Sequence, residues 1–181
     1  DIAFRTARAA DPDALLFYSD YSVEMASDIN EKRRTAVLKV LERLKSRNVP
    51  IDALGIQGHL KPFVDRFDER RFARFVEEVQ SMGLKMMFTE LYVADHHGPE
   101  DIARRDAQVA SVTRAVLDVA LASPVMLGVM TWGLSDRYSW LSSYPEYRWA
   151  DGQLSRGLPL DAELQKKPMY YAIAQAFDAR K

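Results

Sequence analysis

Lys85-Met86-Met87-Phe88-Thr89-Glu90-Leu91-Tyr92-Val93 is an apolar run carrying one carboxylate near its C-terminal end. A run of this length reads as a strand buried on both faces, the pattern of a central strand in a parallel sheet. An acid in such a strand must be paired, neutralised or used, because an isolated buried charge is costly. Its position favours use. In α/β barrels the chemistry sits where strands end and βα loops begin, and Glu90 falls just before the polar loop Ala94-Asp95-His96-His97-Gly98. On this strand alone, a carboxylate held by an arginine for structural reasons stays open as the alternative.

Outward from this strand, short apolar runs at 15–18, 51–60 and 125–132 read as three more strands. Helical periodicity appears at 2–10, at 31–47 with Val37, Val40, Leu41 and Leu44 on one stripe and Asn30 as a candidate cap, and at 69–82 with Phe72, Phe75, Val76 and Val79 before Gly83. Gly98-Pro99-Glu100-Asp101 opens a longer helix, with Pro at its first turn and Ile102, Val109, Val112 and Val116 turned inward, and Ser123-Pro124 closes it. A last helix is expected at 168–178, after an aromatic loop at 144–156. Four βα units in succession imply parallel strands, in an open doubly wound sheet or in half of an eightfold barrel. No strand is followed by a Gly-rich phosphate loop, which counts against the open sheet. Tyr21, Gln57 with His59, Glu90 and Trp132 stand at the ends of four different strands, which is barrel behaviour.

The chain has 181 residues, 48% of them hydrophobic, so it is long enough for a real core but shorter than the roughly 250 residues of a whole barrel. With 25 basic and 26 acidic residues and no block of one sign, neither nucleic acid nor an anionic membrane is an expected partner. There is no Cys, which removes disulfides, thiol catalysis and thiolate metal sites. Asp95-His96-His97 lacks a third metal ligand, and no metal or cofactor is expected. Asp1 to Arg5 lack the features of a secretory signal, so the reading is a mature form or a chain whose start lies elsewhere.

Five ordered segments together resemble the family-10 glycoside hydrolases, the endo-1,4-β-xylanases with a (β/α)8 barrel. Tyr18-Ser19-Asp20-Tyr21-Ser22-Val23-Glu24 is similar to that family's Asn-Asp-Tyr-Asn segment, and Ile56-Gln57-Gly58-His59-Leu60 to its Gln-Ser-His segment. Phe88-Thr89-Glu90-Leu91 is similar to its Thr-Glu-Leu, Thr131-Trp132-Gly133-Leu134-Ser135-Asp136-Arg137-Tyr138-Ser139-Trp140 to the end of its eighth strand, and Leu158-Pro159-Leu160-Asp161 with Lys167-Pro168 to its closing segment. The resemblance implies that residues 1–181 are the C-terminal half of a (β/α)8 TIM barrel, strands five to eight.

It further implies that Glu90 is the nucleophile of a retaining glycosidase and that His59 supports it. Gln57, Tyr21, Trp132 and Trp140 would contact a xylan or xylo-oligosaccharide chain. The family's acid/base Glu belongs to an Asn-Glu pair at the fourth strand's end, and the only such pair here, Asn30-Glu31, precedes a helix. The acid would therefore come from an N-terminal half of the barrel, on the same or a separate chain, and the 181 residues alone would be inactive. Ser19 and Ser22 replace the usual Asn residues, and Tyr92 replaces an Asp that helps hold the His. A secreted or periplasmic location is what the resemblance suggests. Asp136 and Arg137 are expected to brace the last loop as an ion pair. Two rival readings stay open: a non-catalytic carbohydrate-binding remnant, which needs Trp132 and Trp140 but not Glu90, and an unrelated self-contained α/β binding module.

Overall fold

In a computed structural model that describes residues 1–180, helix α1 (Ile2–Ala10) leads into strand β1 (Phe17–Asp20) and helix α2 (Asp28–Ser46). Strands β2 (Ala53–Ile56) and β3 (His59–Leu60), helix α3 (Glu69–Ser81) and strand β4 (Lys85–Val93) follow. Helix α4 (Ile102–Leu121), strand β5 (Met126–Thr131) and helix α5 (Pro168–Asp178) complete the chain. Every strand pairing is parallel: β1 with β2, β2 and β3 with β4, and β4 with β5. β3 continues the line of β2 after a break at Gln57-Gly58, so the sheet is four strands wide in chain order, as expected for an arc of a barrel.

The core lies between this sheet and α2 to α5. Leu54, Ile56, Met86, Phe88 and Leu91 meet Val37 and Leu41 of α2, Phe72, Phe75, Val76 and Val79 of α3, Val109, Val112 and Val116 of α4, and Met169 of α5. Burial on this scale supplies the main driving force for a two-layer domain. The opposite face carries small and polar groups between strands β1, β2 and β4, alongside Met87. Gly55 leaves room for Ser19 and Thr89, whose side chains would lie 3.0–3.1 Å from a Cβ at that position.

Several local expectations are corrected. β4 is not buried on both faces: Met86 and Phe88 are buried, but Met87, Thr89 and Glu90 on the other face are partly open. β5 is apolar throughout, yet Met130 is 51% exposed, because it is an outer strand of the arc. β1 starts at Phe17, so Leu15 is exposed and Ser19 and Asp20 lie inside the strand. Ser27, not Asn30, is the N-cap of α2; Asn30 is buried and accepts the Met25 N–H at 3.1 Å. The buried stripe of α2 is Asn30, Arg34, Val37, Leu41 and Leu44, and Val40, expected on it, is 37% exposed. Asp101 caps α4 by accepting the Arg104 N–H at 2.7 Å, which leaves Pro99 outside the helix and Ile102 exposed.

The aromatic loop is fastened to the end of β4. Val93 N–H donates to the Gly157 carbonyl at 3.1 Å, and a Cβ on Gly157 would stand 1.8 Å from the Val93 carbonyl oxygen. Gly157→Ala must therefore separate loop from strand. The expected cost is about 3 kcal/mol, read as a lower urea midpoint at unchanged slope.

Candidate active site

A register shift builds the site. Ile56 pairs with Phe88, but three residues later His59 pairs with Tyr92, four residues after Phe88. On the other side, Phe88 to Leu91 spans three steps against two from Val129 to Thr131 on β5. β4 therefore holds one extra residue at Thr89-Glu90 relative to both neighbours, a β-bulge of the kind that re-aims a side chain. Without it His59 would stand opposite Leu91, whose side chain points into the core. With it His59 stands opposite Tyr92, on the face that also carries Glu90.

The consequence is a direct contact, His59 Nε2 to Glu90 Oε2 at 3.3 Å, with both side chains about three-quarters buried. The imidazole stacks on Tyr92 with ring centroids 4.4 Å apart and a 28° tilt. Burial lowers the His59 pKa from its ordinary value and outweighs the opposing effect of Glu90, while nearby Lys61 lowers it further. Burial likewise raises the Tyr92 phenol. His59 is thus held between the stacked Tyr92 ring and the Glu90 side chain.

Beyond Tyr92 the aromatic loop closes in. Trp140 meets Tyr92 edge-on at 5.7 Å, Tyr144 at 5.2 Å and Tyr147 at 5.4 Å. Lys61 Nζ donates to the Tyr147 hydroxyl at 3.1 Å. The buried Trp140 Nε1 has no hydrogen-bond partner among the described residues. Trp132, 51% exposed, ends β5 and is tied to β4 by its N–H to the Leu91 carbonyl at 3.1 Å.

The remaining sequence candidates are placed differently. Tyr21, 45% exposed, lies beyond β1 beneath the Arg33 guanidinium, 4.6 Å from its ring. The Gln57 side chain makes no hydrogen bond among the described residues, and its backbone N–H goes to the Asp20 carbonyl at 3.0 Å. Asp136 does not pair with Arg137, which is exposed, because adjacent residues in one turn point apart. Its partner is Lys167 at 2.7 Å, and it also accepts the Leu158 N–H at 3.1 Å. Burial still outweighs the lysine and pushes Asp136 up to about 6. Asp95 is committed to Ser155, Trp149, the Arg156 N–H and Arg105, and no metal-binding group occurs among the described residues. Asn30-Glu31 lies in the first turn of α2, where Asn30 accepts the Met25 N–H and Glu31 pairs with Arg34 at 2.6 Å.

Residues 1–176 match the family model described as Glycosyl hydrolase family 10. The chain belongs to that family. It is 28% identical over 176 residues to endo-1,4-beta-xylanase B of Thermotoga neapolitana, covering 96% of this chain and 46% of that protein. Native xylanase 10B from Thermotoga maritima superposes with a TM-score of 0.82 at 30% identity, over 98% of this chain and 51% of that one. Xylanase 10B from Thermotoga petrophila, solved with xylobiose, gives 0.81 at 29% identity, over 98% and 50%. The chain thus spans about half the length of these family members, and its parallel sheet is half of their TIM barrel.

Where the resemblance implies an Asp beside the His, Tyr92 stacks its ring on His59 and supplies no charge. His59 should therefore titrate below an ordinary histidine, and Tyr92→Asp should raise its pKa by placing an anion at the ring. Imidazole NMR titration of both proteins checks this; an unchanged or lower value in Tyr92→Asp contradicts it.

Proposed function

We propose that this chain forms the nucleophile-bearing half of a retaining endo-1,4-β-xylanase-like glycosidase. The observation that carries the reading is the His59–Glu90 contact on a bulged strand end, within a chain of glycosyl hydrolase family 10. A retaining glycosidase needs two carboxyl groups roughly 5–5.5 Å apart, one to attack the anomeric carbon and one to protonate the departing oxygen. Glu90 is the attacker. The His59 N–H orients its carboxylate and stabilises the charged form, and a neutral imidazole does so without an added positive charge to weaken the nucleophile.

The second carboxyl group is proposed to come from the N-terminal half of the barrel, on the same or a separate chain. Nearby acids of this half are already engaged. Glu24 is buried and holds two backbone N–H groups, and Asp20 accepts the Tyr18 hydroxyl at 2.6 Å and the Tyr21 N–H at 2.9 Å. In the completed barrel, the acid protonates the leaving sugar as Glu90 displaces it. The same group, now a base, then activates water to hydrolyse the glycosyl-Glu90 ester. Trp132, 51% exposed, and Tyr21, 45% exposed, offer flat faces to sugar rings, with Trp140 packed behind Tyr92. The substrate is internal β-1,4-linked xylan or a xylo-oligosaccharide, in keeping with the xylobiose that the Thermotoga petrophila relative binds.

Complementation tests this. The chain mixed with the barrel half of the Thermotoga maritima xylanase that it does not match should hydrolyse xylan, while either half alone should be silent. In that complex Glu90→Ala should abolish turnover and leave oligosaccharide binding within about threefold, since the loss falls on the transition state. Undiminished hydrolysis by Glu90→Ala removes Glu90 from the mechanism.

A further inference from the structure

Glu24 is a carboxylate 1% exposed, on the loop between β1 and α2, and among the described residues it forms no salt bridge. Its Oε1 accepts the Gly58 N–H at 2.8 Å and its Oε2 accepts the Val23 N–H at 2.9 Å. Arg34 on α2, also buried, spends its guanidinium elsewhere, on the Val23 carbonyl at 2.8 Å, the Met25 carbonyl at 2.9 Å and Glu31. It clamps the backbone on both sides of Glu24 without forming an ion pair with it. Burying a carboxylate to satisfy two amides is an expensive way to hold a loop, and burial accordingly raises its pKa.

Gly58 explains why such an anchor is placed there. It sits at the break between β2 and β3 with φ +80°, and a Cβ would lie 2.8 Å from Phe88 Cδ1, so the turn is restricted to glycine and has no side chain of its own to hold it. Its carbonyl accepts the Tyr92 N–H at 3.1 Å, and its N–H is held by Glu24. The next residue is His59. The contact to Glu90, at 3.3 Å, is near the outer limit of a hydrogen bond, so a small shift of Gly58 breaks it.

We infer that Glu24 is a positioning residue for the His59–Glu90 pair, acting through the Gly58 amide, and that Arg34 holds Glu24 in place from α2. Its meaning for catalysis rests on the proposed role of Glu90, but its geometry does not. Glu24→Asp shortens the reach by one methylene and cannot serve both amides. Glu24→Gln keeps a full-length acceptor for Gly58.

The test is the His59 titration by NMR of histidine-labelled chain, with and without Glu90→Gln, in three backgrounds. With Glu24 present, Glu90→Gln should lower the His59 pKa, because it removes the anion at 3.3 Å. That shift should be lost in Glu24→Asp and kept in Glu24→Gln. Should Glu24→Asp not fold by circular dichroism, Arg34→Lys, which loses the forked grip on the two carbonyls, should show the same loss. A full shift in folded Glu24→Asp or Arg34→Lys overturns the inference, as does its loss in Glu24→Gln. No substrate enters this readout, so a failed glycosidase assay and a failed coupling are separate results.

Discussion

The 3.3 Å approach of His59 Nε2 to Glu90 Oε2 depends on two departures from regular sheet geometry. The side-chain period of a strand is two, so moving the register by one residue carries every following side chain to the other face. The extra residue in β4 at Thr89-Glu90 makes that move, and the glycine turn at Gly58 lets the neighbouring strand follow it. Below the bulge, Met86 and Phe88 build the core in ordinary alternation. Above it, His59, Glu90 and Tyr92 share a face. Core and site are thus parts of one strand pair separated by a single inserted residue.

The same sheet is open on the side that carries the site. Ser19, Gly55 and Thr89 form a small, polar inner surface, and β1 and β5 each pair on one side only among the described residues. Closure into a barrel removes such edges and supplies an opposite wall. The buried apolar side chains lie on the helix face, so the helices hold this half together. The proposed second half would complete the site more than the core.

Much of this was legible in the sequence because it rests on patterns of several residues. The four strand runs, the helices at 69–82 and 168–178 and the strand-end positions of Glu90, His59 and Trp132 follow from periodicity and from the order of apolar runs. What was not legible depends on single contacts between distant residues. The Asp136–Lys167 pair spans thirty-one positions, so sequence adjacency pointed to Arg137 instead. Ser27 and Asn30 are both good caps, and only the tertiary demand of the Met25 N–H for Asn30 decides between them. The bulge leaves no mark in Phe88-Thr89-Glu90-Leu91 beyond two partly exposed neighbours, and the exposure of Met130 reflects where β5 stands, not what it contains. Glu24 had one readable signal, an acid between Val23 and Met25, without a hint of its partner.

The central claim is that Glu90, oriented by His59, is the atom donor to the anomeric carbon once the barrel is complete. A 2-fluoro-xylobioside with a good leaving group tests it directly, since fluorine at C2 slows both steps and the leaving group restores only the first, so the intermediate accumulates. Peptide mass spectrometry of the complemented barrel should then find one fluoro-xylobiosyl group, on Glu90. A label on any other residue, or none with hydrolysis still running, would contradict the account.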